Sequence, residues 1–273
     1  MSYSVYMLRC RDGSLYTGST PDIDARTAKH NRGEGARYTR ARLPVECVYR
    51  EKCADKSSAL RRESAIKALP REKKLSLAAE YAAAYPAVQR KEKIDSDDFS
   101  LMAGLESRFY SREEITPPEE ALAWYQACPE SCLLYTCDSG IAGFINLFPI
   151  RRATSEKLES GSFSDSTLTA EEIFIPADGE CCDFLLSCIV ADPAYAGSGL
   201  SMQMVNDALD LWKNVLSGGI RIYLDASTPG GESIARRLGM DLILETERGT
   251  LLFRGTVRRF VKEARLRDIR SLC

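Results

Sequence analysis

One histidine, His30, serves the whole chain of 273 residues. Imidazole is the side chain normally used for proton transfer near neutral pH, because its unperturbed pKa is about 6.5. A chain with one histidine either forgoes that chemistry or concentrates it at one place. Long apolar runs are also missing. Nothing approaches the roughly 18 residues of a membrane helix, and the opening MSYSVYMLRCRDGS turns polar and charged too early for a secretion signal. The expected compartment is the cytoplasm, with no membrane partner. No CxxC pair exists among ten cysteines. Cys128, Cys132 and Cys137 cluster and Cys181 and Cys182 are adjacent, but no histidine lies nearby to complete a zinc set. The thiols are expected to stay reduced, as small buried hydrophobes in strands. No internal repeat is found.

What is present is a soluble-type composition, 44% hydrophobic and 28% charged, long enough for two domains. The net charge of −2 conceals a division near residue 93. Residues 1–93 carry 20 Lys and Arg against 11 Asp and Glu, a net of +9, and the remainder carries 17 against 28, a net of −11. A basic domain attracts polyanions, since neutralising phosphates releases condensed counterions, and an acidic one is repelled by them. The basic stretch RGTVRRFVKEARLRDIR near the C-terminus reads as a solvated helix face.

Along the chain, SYSVYMLRC alternates as a strand, Asp12-Gly13 supplies a tight turn, and LYTGST returns. A helix is expected from a cap at Asp22 to Gly33, then a basic loop, GEGARYTRARLP, and a strand VECVYRE. A helix opening at Ser57 stops before Pro70, and Pro70 suits the first turn of the next. This describes a small α/β unit with a three-stranded sheet over residues 1–83. Residues 84–99 have the composition of a linker, and residues 100–273 form a second domain. There the pattern predicts helices at 104–112 and 118–127, a hairpin turning at Ser139-Gly140, and an exposed loop at 151–168. It continues with strands EEIFIP and CDFLLSCIVADP, a helix to about Leu216, a strand IRIYLDAS, a short helix GESIARRLG and a last hairpin through Arg248-Gly249. The fold class is thus α/β and α+β, a three-stranded sheet with helices followed by a larger mixed sheet flanked by helices.

In the basic domain Arg26 and His30 stand four apart on one helix face. Tyr16 and Gly18 lie on the strand before them. Here the sequence resembles the GIY-YIG nuclease superfamily, which includes the excinuclease incision subunit and several homing endonucleases. Gly-Ile-Tyr of that family matches Ser4-Val5-Tyr6, and Tyr-Ile-Gly matches Tyr16-Thr17-Gly18. The helix arginine falls on Arg26, the following His or Tyr on His30, and the metal-binding glutamate on Glu63. The likeness covers about residues 3–80 and is greatest to the small single-domain members, which share the EGARYTR-like loop and a lysine at the place of Lys67. It implies catalytic roles for Tyr6, Tyr16, Arg26, His30 and Glu63: a tyrosine as base, the arginine as electrophilic clamp, and one Mg²⁺ or Mn²⁺ held by Glu63. Phosphodiester hydrolysis needs those three functions. Taken one at a time the residues have plainer readings. The tyrosines suit a core or an edge, Glu63 with Lys67 is an i, i+4 ion pair worth about 0.2–0.5 kcal/mol, and Arg26 suits a surface. The first motif has Ser4 where the family has glycine.

In the acidic half a buried strand runs to Asp192-Pro193, and a glycine-bearing loop, AYAGSGL, opens a helix whose N–H groups can cradle phosphate. This part resembles the GNAT acetyltransferases over about residues 100–256. The resemblance implies an acetyl-CoA site at Ile189, Val190, Gly197, Ser198, Gly199 and Leu200, with an unidentified amine as acceptor. Ala194 stands where the family's loop opens with Arg or Gln. Thr228 takes the place of a frequent asparagine, and Ala235 lies near that of the usual tyrosine acid. Asp183 and Glu180 are candidate bases for the acceptor, or solvated strand-end carboxylates. The expected function is a metal-dependent endonuclease acting on structured DNA, joined to an N-acyltransferase. The alternatives are a nucleic-acid-binding module that does not cut but targets the acetyltransferase, and an acetyltransferase with an N-terminal scaffold.

Overall fold

A computed structural model describes residues 3–163, 167–176, 182–196, 198–215 and 219–256. Its contacts divide the chain into two compact units, residues up to 87 with 193–200, and 88–192 with residues from 201 onward.

The first unit is built on β1 (Tyr3–Cys10), β2 (Leu15–Thr20) and β3 (Val45–Cys53), antiparallel in the order β2-β1-β3. The β1–β2 turn forms where expected. Gly13 adopts φ +75, open to glycine at no steric cost, and Asp12 Oδ1 accepts from the Ser14 N–H at 3.0 Å. Both faces of β1 are buried because its alternate residues serve different layers. Val5 and Met7 pack with Ala59 and Ile66 of α3 (Lys56–Ala68) and Ala78 of α4 (Arg71–Ala84). Tyr6, Leu8 and Cys10 pack on the other face with Val45 and with Ile23 of α1 (Ile23–Asn31). Each aliphatic side chain so buried contributes about 1.5–3 kcal/mol.

Asp22 caps α1, accepting from the Ala25 N–H at 2.8 Å. The helix expected from Ser57 starts earlier, because Asp55 accepts from the Ser58 N–H at 2.7 Å in a capping box that satisfies two orphan groups at once. The basic loop contains one short helix, α2 (Arg37–Arg40).

The second unit is a seven-stranded mixed sheet of order β4-β5-β6-β7-β8-β10-β9. Its strands are β4 (Gln89–Arg90), β5 (Cys132–Cys137), β6 (Gly140–Ile150), β7 (Asp183–Ala191), β8 (Arg221–Ala226), β9 (Asp241–Glu245) and β10 (Leu251–Thr256). Only β7 and β8 run parallel, joined through α8 (Leu200–Leu211). Core residues Phe99, Met102 and Leu105 of α5 (Ser96–Glu106) cover Leu134, Phe144 and Val190. Trp124 of α6 (Pro118–Ala127) meets Phe148 edge to face.

Four expectations differ here. The helix placed at 104–112 spans 96–106, because Asp95 caps it and Asp98 closes a capping box. Residues 84–99, expected as a linker, therefore hold β4 and the first turn of α5. The exposed loop expected at 151–168 contains α7 (Arg152–Glu159), with Thr154, Ser155 and Leu158 buried under its polar surface. EEIFIP gives only an isolated bridge between Ile150 and Ile173. The short helix and final hairpin form as α9 (Pro229–Arg237) and β9–β10. The basic stretch from residue 257, and Glu180, lie outside the described residues. Among the described residues no helix is long and apolar enough to cross a membrane.

Candidate active site

The register of β1 and β2 sets Tyr6 opposite Gly18 and Leu8 opposite Tyr16. The two tyrosines are therefore diagonal neighbours on one face, with ring centroids 6.4 Å apart. Gly18 makes room for this. A Cβ there would lie 2.6 Å from the Tyr6 hydroxyl, so no larger residue leaves that ring in place.

α1 brings Arg26 and His30 onto the same face. Arg26 Nε donates to Tyr6 Oη at 3.3 Å, and His30 Nε2 stands 3.2 Å from the same oxygen. On its other side His30 Nδ1 lies 2.6 Å from Thr39 Oγ1, which donates to the Ala36 carbonyl at 3.0 Å. His30 and Thr39 are both 0% exposed, so every proton needs a protein partner. One assignment satisfies all of them. Arg26 donates to the Tyr6 oxygen, Tyr6 donates to Nε2, Nδ1–H donates to Thr39, and Thr39 donates to Ala36. The reverse tautomer leaves the Tyr6 proton without an acceptor. The network thus assigns the proton to Nδ1 and leaves the Nε2 lone pair facing Tyr6.

Burial, aided by the positive charge of Arg26, lowers the His30 pKa to about 4, so the ring is neutral at physiological pH. Burial pushes the Tyr6 phenol up to about 12, against the opposing hydrogen bond from Arg26. The bond to Tyr6 in turn raises Arg26 and keeps it charged.

Glu63 comes from α3, which packs on the Val5 and Met7 face of the sheet, opposite the tyrosines. Ser19 of β2 donates to its Oε2 at 2.6 Å, and Lys67 holds Oε1 at 2.5 Å. Burial works against its charge, but these two donors bring its pKa below the ordinary carboxylate value. Its charge reaches Tyr6, where it is one of the influences raising the phenol. Tyr6, Tyr16, Arg26 and His30 are therefore in direct contact, whereas Glu63 is held on the other face of the sheet by Ser19, which pairs with Val5, and reaches Tyr6 through its charge. Sequence reasoning did not single out Ser19, Thr39 or Gly35. A Cβ on Gly35 would lie 2.4 Å from His30 Nδ1, which makes the glycine of the GEGAR loop a spacer for that ring. Only the loop's composition hinted at it.

In the second unit, β7 and β8 pair at Phe184–Ile222 and Leu185–Tyr223 and no further. Their closed end is pinned by Asp183, which accepts from Ser155 Oγ at 2.7 Å and from Arg221 N, Nε and Nη2 at 2.9, 3.0 and 2.7 Å. Asp183 is 0% exposed. Ser155 and Arg221 therefore enclose its carboxyl group and leave no room for an acceptor amine, contrary to the sequence expectation. At the open end a bulge sets Ser187 between the pairs Leu147–Leu186 and Asn146–Cys188, turning β7 away. A cavity of about 110 Å³ fills the opening, lined by Ile189, Leu224, Thr228, Glu106, Asp225 and Arg248 among others. Burial raises the carboxyls of both Glu106 and Asp225, and the Cys188 thiol donates to Glu106 at 3.2 Å.

Of the expected acyl-CoA residues, Ile189 lines this cavity, whereas Val190 turns its side chain into the core beside Phe144. Ser198 Oγ accepts from the Leu200 N–H at 3.1 Å, and Gly199 has φ +91. Gly197 lies outside the described residues. Thr228 caps α9 by accepting from the Gly231 N–H at 3.1 Å, and Ala235 is fully buried. No group of three His, Cys, Asp or Glu side chains placed to hold a metal ion occurs among the described residues.

Residues 2–76 match the family model of the GIY-YIG catalytic domain. A UPF0213 protein of Staphylococcus aureus (strain N315) is 55% identical over 76 residues, which are 28% of this chain and 93% of that protein. The solution structure of a UPF0213 protein from Bacillus halodurans, 45% identical, is matched over 29% of this chain and 85% of that one, with a TM-score of 0.21. Through these N-terminal residues the chain belongs to the GIY-YIG family. Its structural neighbours elsewhere include GNAT acetyltransferases. Among them is the PaiA N-acetyltransferase of Thermoplasma acidophilum in complex with coenzyme A, 15% identical, covering 62% of this chain and 99% of that one, with a TM-score of 0.42.

Proposed function

We propose that the first unit hydrolyses phosphodiester bonds in DNA and that the second is an N-acyltransferase using acetyl-CoA. The observation that carries the first assignment is the directed hydrogen-bond chain from Tyr6 through His30 and Thr39 to Ala36, beside the Arg26 guanidinium. A phenol with a pKa of about 12 is a weak base until its proton has somewhere to go. Neutral His30, with its pKa near 4, orients the phenol by accepting its hydrogen bond at Nε2 rather than by taking the proton, which passes to solvent, and Arg26 steadies the phenolate left behind. The same guanidinium can stabilise charge developing on phosphate oxygens.

Glu63 suits a divalent ion. It is a single hard oxygen donor already holding one cation, the ammonium of Lys67, and Mg²⁺ commonly binds through one or two carboxylates while keeping several waters. Bound there, the ion would supply Lewis-acid polarisation of a phosphate oxygen. Lys67 keeps the carboxylate charged and oriented until then.

The acyltransferase reading rests on the forked strands. Beyond Leu185 the β7 edge facing β8 has no partner strand among the described residues, which leaves backbone groups for an extended ligand. Glu106 and Asp225, whose carboxyls burial raises above the ordinary carboxylate pKa, line the cavity where a cationic amine would arrive.

The test offers the purified chain branched, flapped and single-stranded DNA with Mg²⁺ or Mn²⁺. Tyr6→Phe and Glu63→Ala are each expected to abolish cutting, and Arg26→Ala to slow it about 10²- to 10³-fold. Cleavage that survives both Tyr6→Phe and Glu63→Ala removes the assignment. Binding without cleavage by the unaltered protein would make the unit a targeting module. Calorimetric titration with acetyl-CoA tests the second half, and a flat titration removes it.

A further inference from the structure

We propose that Tyr38 is a stacking platform for an unpaired nucleobase beside the scissile phosphate, so that the first unit prefers DNA with an unpaired nucleotide over a continuous duplex. This rests on reading that unit as a DNA hydrolase and names its substrate class. The four-residue helix α2 turns two adjacent side chains in opposite directions. Thr39 points inward and anchors His30, whereas Tyr38 stands 42% exposed.

Exposed aromatic rings are usually loosely held, but this one is fixed. It lies nearly parallel to Tyr16, at an interplanar angle of 28° with centroids 6.2 Å apart, and the Arg42 guanidinium sits 4.3 Å from its centroid. Arg42 is itself held by Asp12 at 2.9 Å and by the Tyr38 carbonyl at 2.8 Å. Behind Tyr16 the series continues to His30, at 5.0 Å between centroids, and to Tyr6. A line of rings thus runs from the surface to the phenol that would activate water.

Around this line Arg37, Arg40 and Arg42 belong to a domain of net charge +9, which attracts a polyphosphate backbone. Every base presents a π-face, so stacking on tyrosine or on a planar guanidinium is tolerant of sequence. A base within a duplex must first leave its own stack to reach a protein ring, whereas an unpaired base is already available. A fixed exposed ring therefore discriminates by strandedness.

The experiment measures equilibrium binding of the full chain, without divalent ion, to fluorescent single-stranded DNA and to the duplex of the same sequence. Tyr38→Ala should weaken single-strand binding about 5- to 100-fold while leaving the duplex within about twofold, and Tyr38→Phe should bind as the unaltered protein does. A strand carrying 5-iodouracil should photocrosslink to residue 38, and the adduct should vanish in Tyr38→Ala. Equal weakening of both DNAs, or of neither, overturns the platform and leaves the cleavage tests of Tyr6 and Glu63 to decide the nuclease reading independently. Failure of the unaltered protein to bind either DNA overturns both.

Discussion

Histidine occurs once in the chain, so its imidazole resonances stand alone in the spectrum of a protein carrying no added tag, and the state of His30 is directly measurable. Isotope-detected titration should show no histidine transition between pH 8 and about pH 5 and a midpoint near pH 4, with Nδ1 protonated and Nε2 bare above it. The sign of the stability effect follows. Folded His30 stays neutral while the unfolded chain takes up a proton below about pH 6.5. Stability is thus drawn down as pH falls from about 6.5, and the loss from this group is complete near pH 4. At about 1.4 kcal/mol per pKa unit the shift sets a ceiling of about 3 kcal/mol, and solvent screening at the mouth of the site brings the expected loss to about 1–3 kcal/mol. Acidic residues with lowered pKa, Glu63 among them, add to acid sensitivity in the same direction. Chemical denaturation of the unaltered protein and His30→Gln at a series of pH values removes their share, because it is common to both. The difference between the two profiles should slope between pH 6.5 and 4 and be flat above. A midpoint near 6.5, or a proton on Nε2, would refute the directed chain and with it the argument that neutral His30 orients Tyr6 by accepting its hydrogen bond.

Thr39→Val leaves the buried Nδ1–H of His30 without an acceptor, and should lower unfolding free energy by about 1–3 kcal/mol with Thr39→Ser restoring it. Gly18→Ala drives a methyl group into the Tyr6 hydroxyl, and is expected to abolish cleavage in a gel assay while lowering stability by about 1–3 kcal/mol. In the second unit Arg221→Met strands the fully buried carboxylate of Asp183 with only Ser155 and the residue 221 backbone as donors. Thermal and denaturant unfolding of that unit should then show a loss of about 3–5 kcal/mol.

Much of the fold was legible from local pattern. Alternation in β1 separated the Val5 and Met7 face from the Tyr6 and Leu8 face, and Asp22 and Gly13 announced a cap and a turn through chemistry that acts within three residues. Where two local signals competed, reading was less secure. Asp55 and Ser57 both suit a helix cap, and the capping box with Ser58 decides for Asp55. The 151–168 segment is rich in serine and charge, which reads as a loop, yet α7 forms there because Leu158 and Ser155 find a buried face made by distant strands.

The candidate site divides in the same way. Sequence by itself determined which residue types stand at which spacing, and spacing on a strand or helix fixes which side chains share a face. It therefore placed Arg26 beside His30 and put Tyr6 and Tyr16 on two strands joined by a tight turn, whose register the structure supplied. Only the tertiary structure decided their chemical states. The tautomer of His30 depends on Thr39, nine residues away on another helix, and the carboxylate of Glu63 is held by Ser19 from a strand 44 residues earlier. Asp183 looked available as a strand-end carboxylate until Arg221 and Ser155 closed around it. Burial and partnership arise when segments far apart in the chain exclude water together. Periodicity, a property of one segment, carries no record of what that segment will meet.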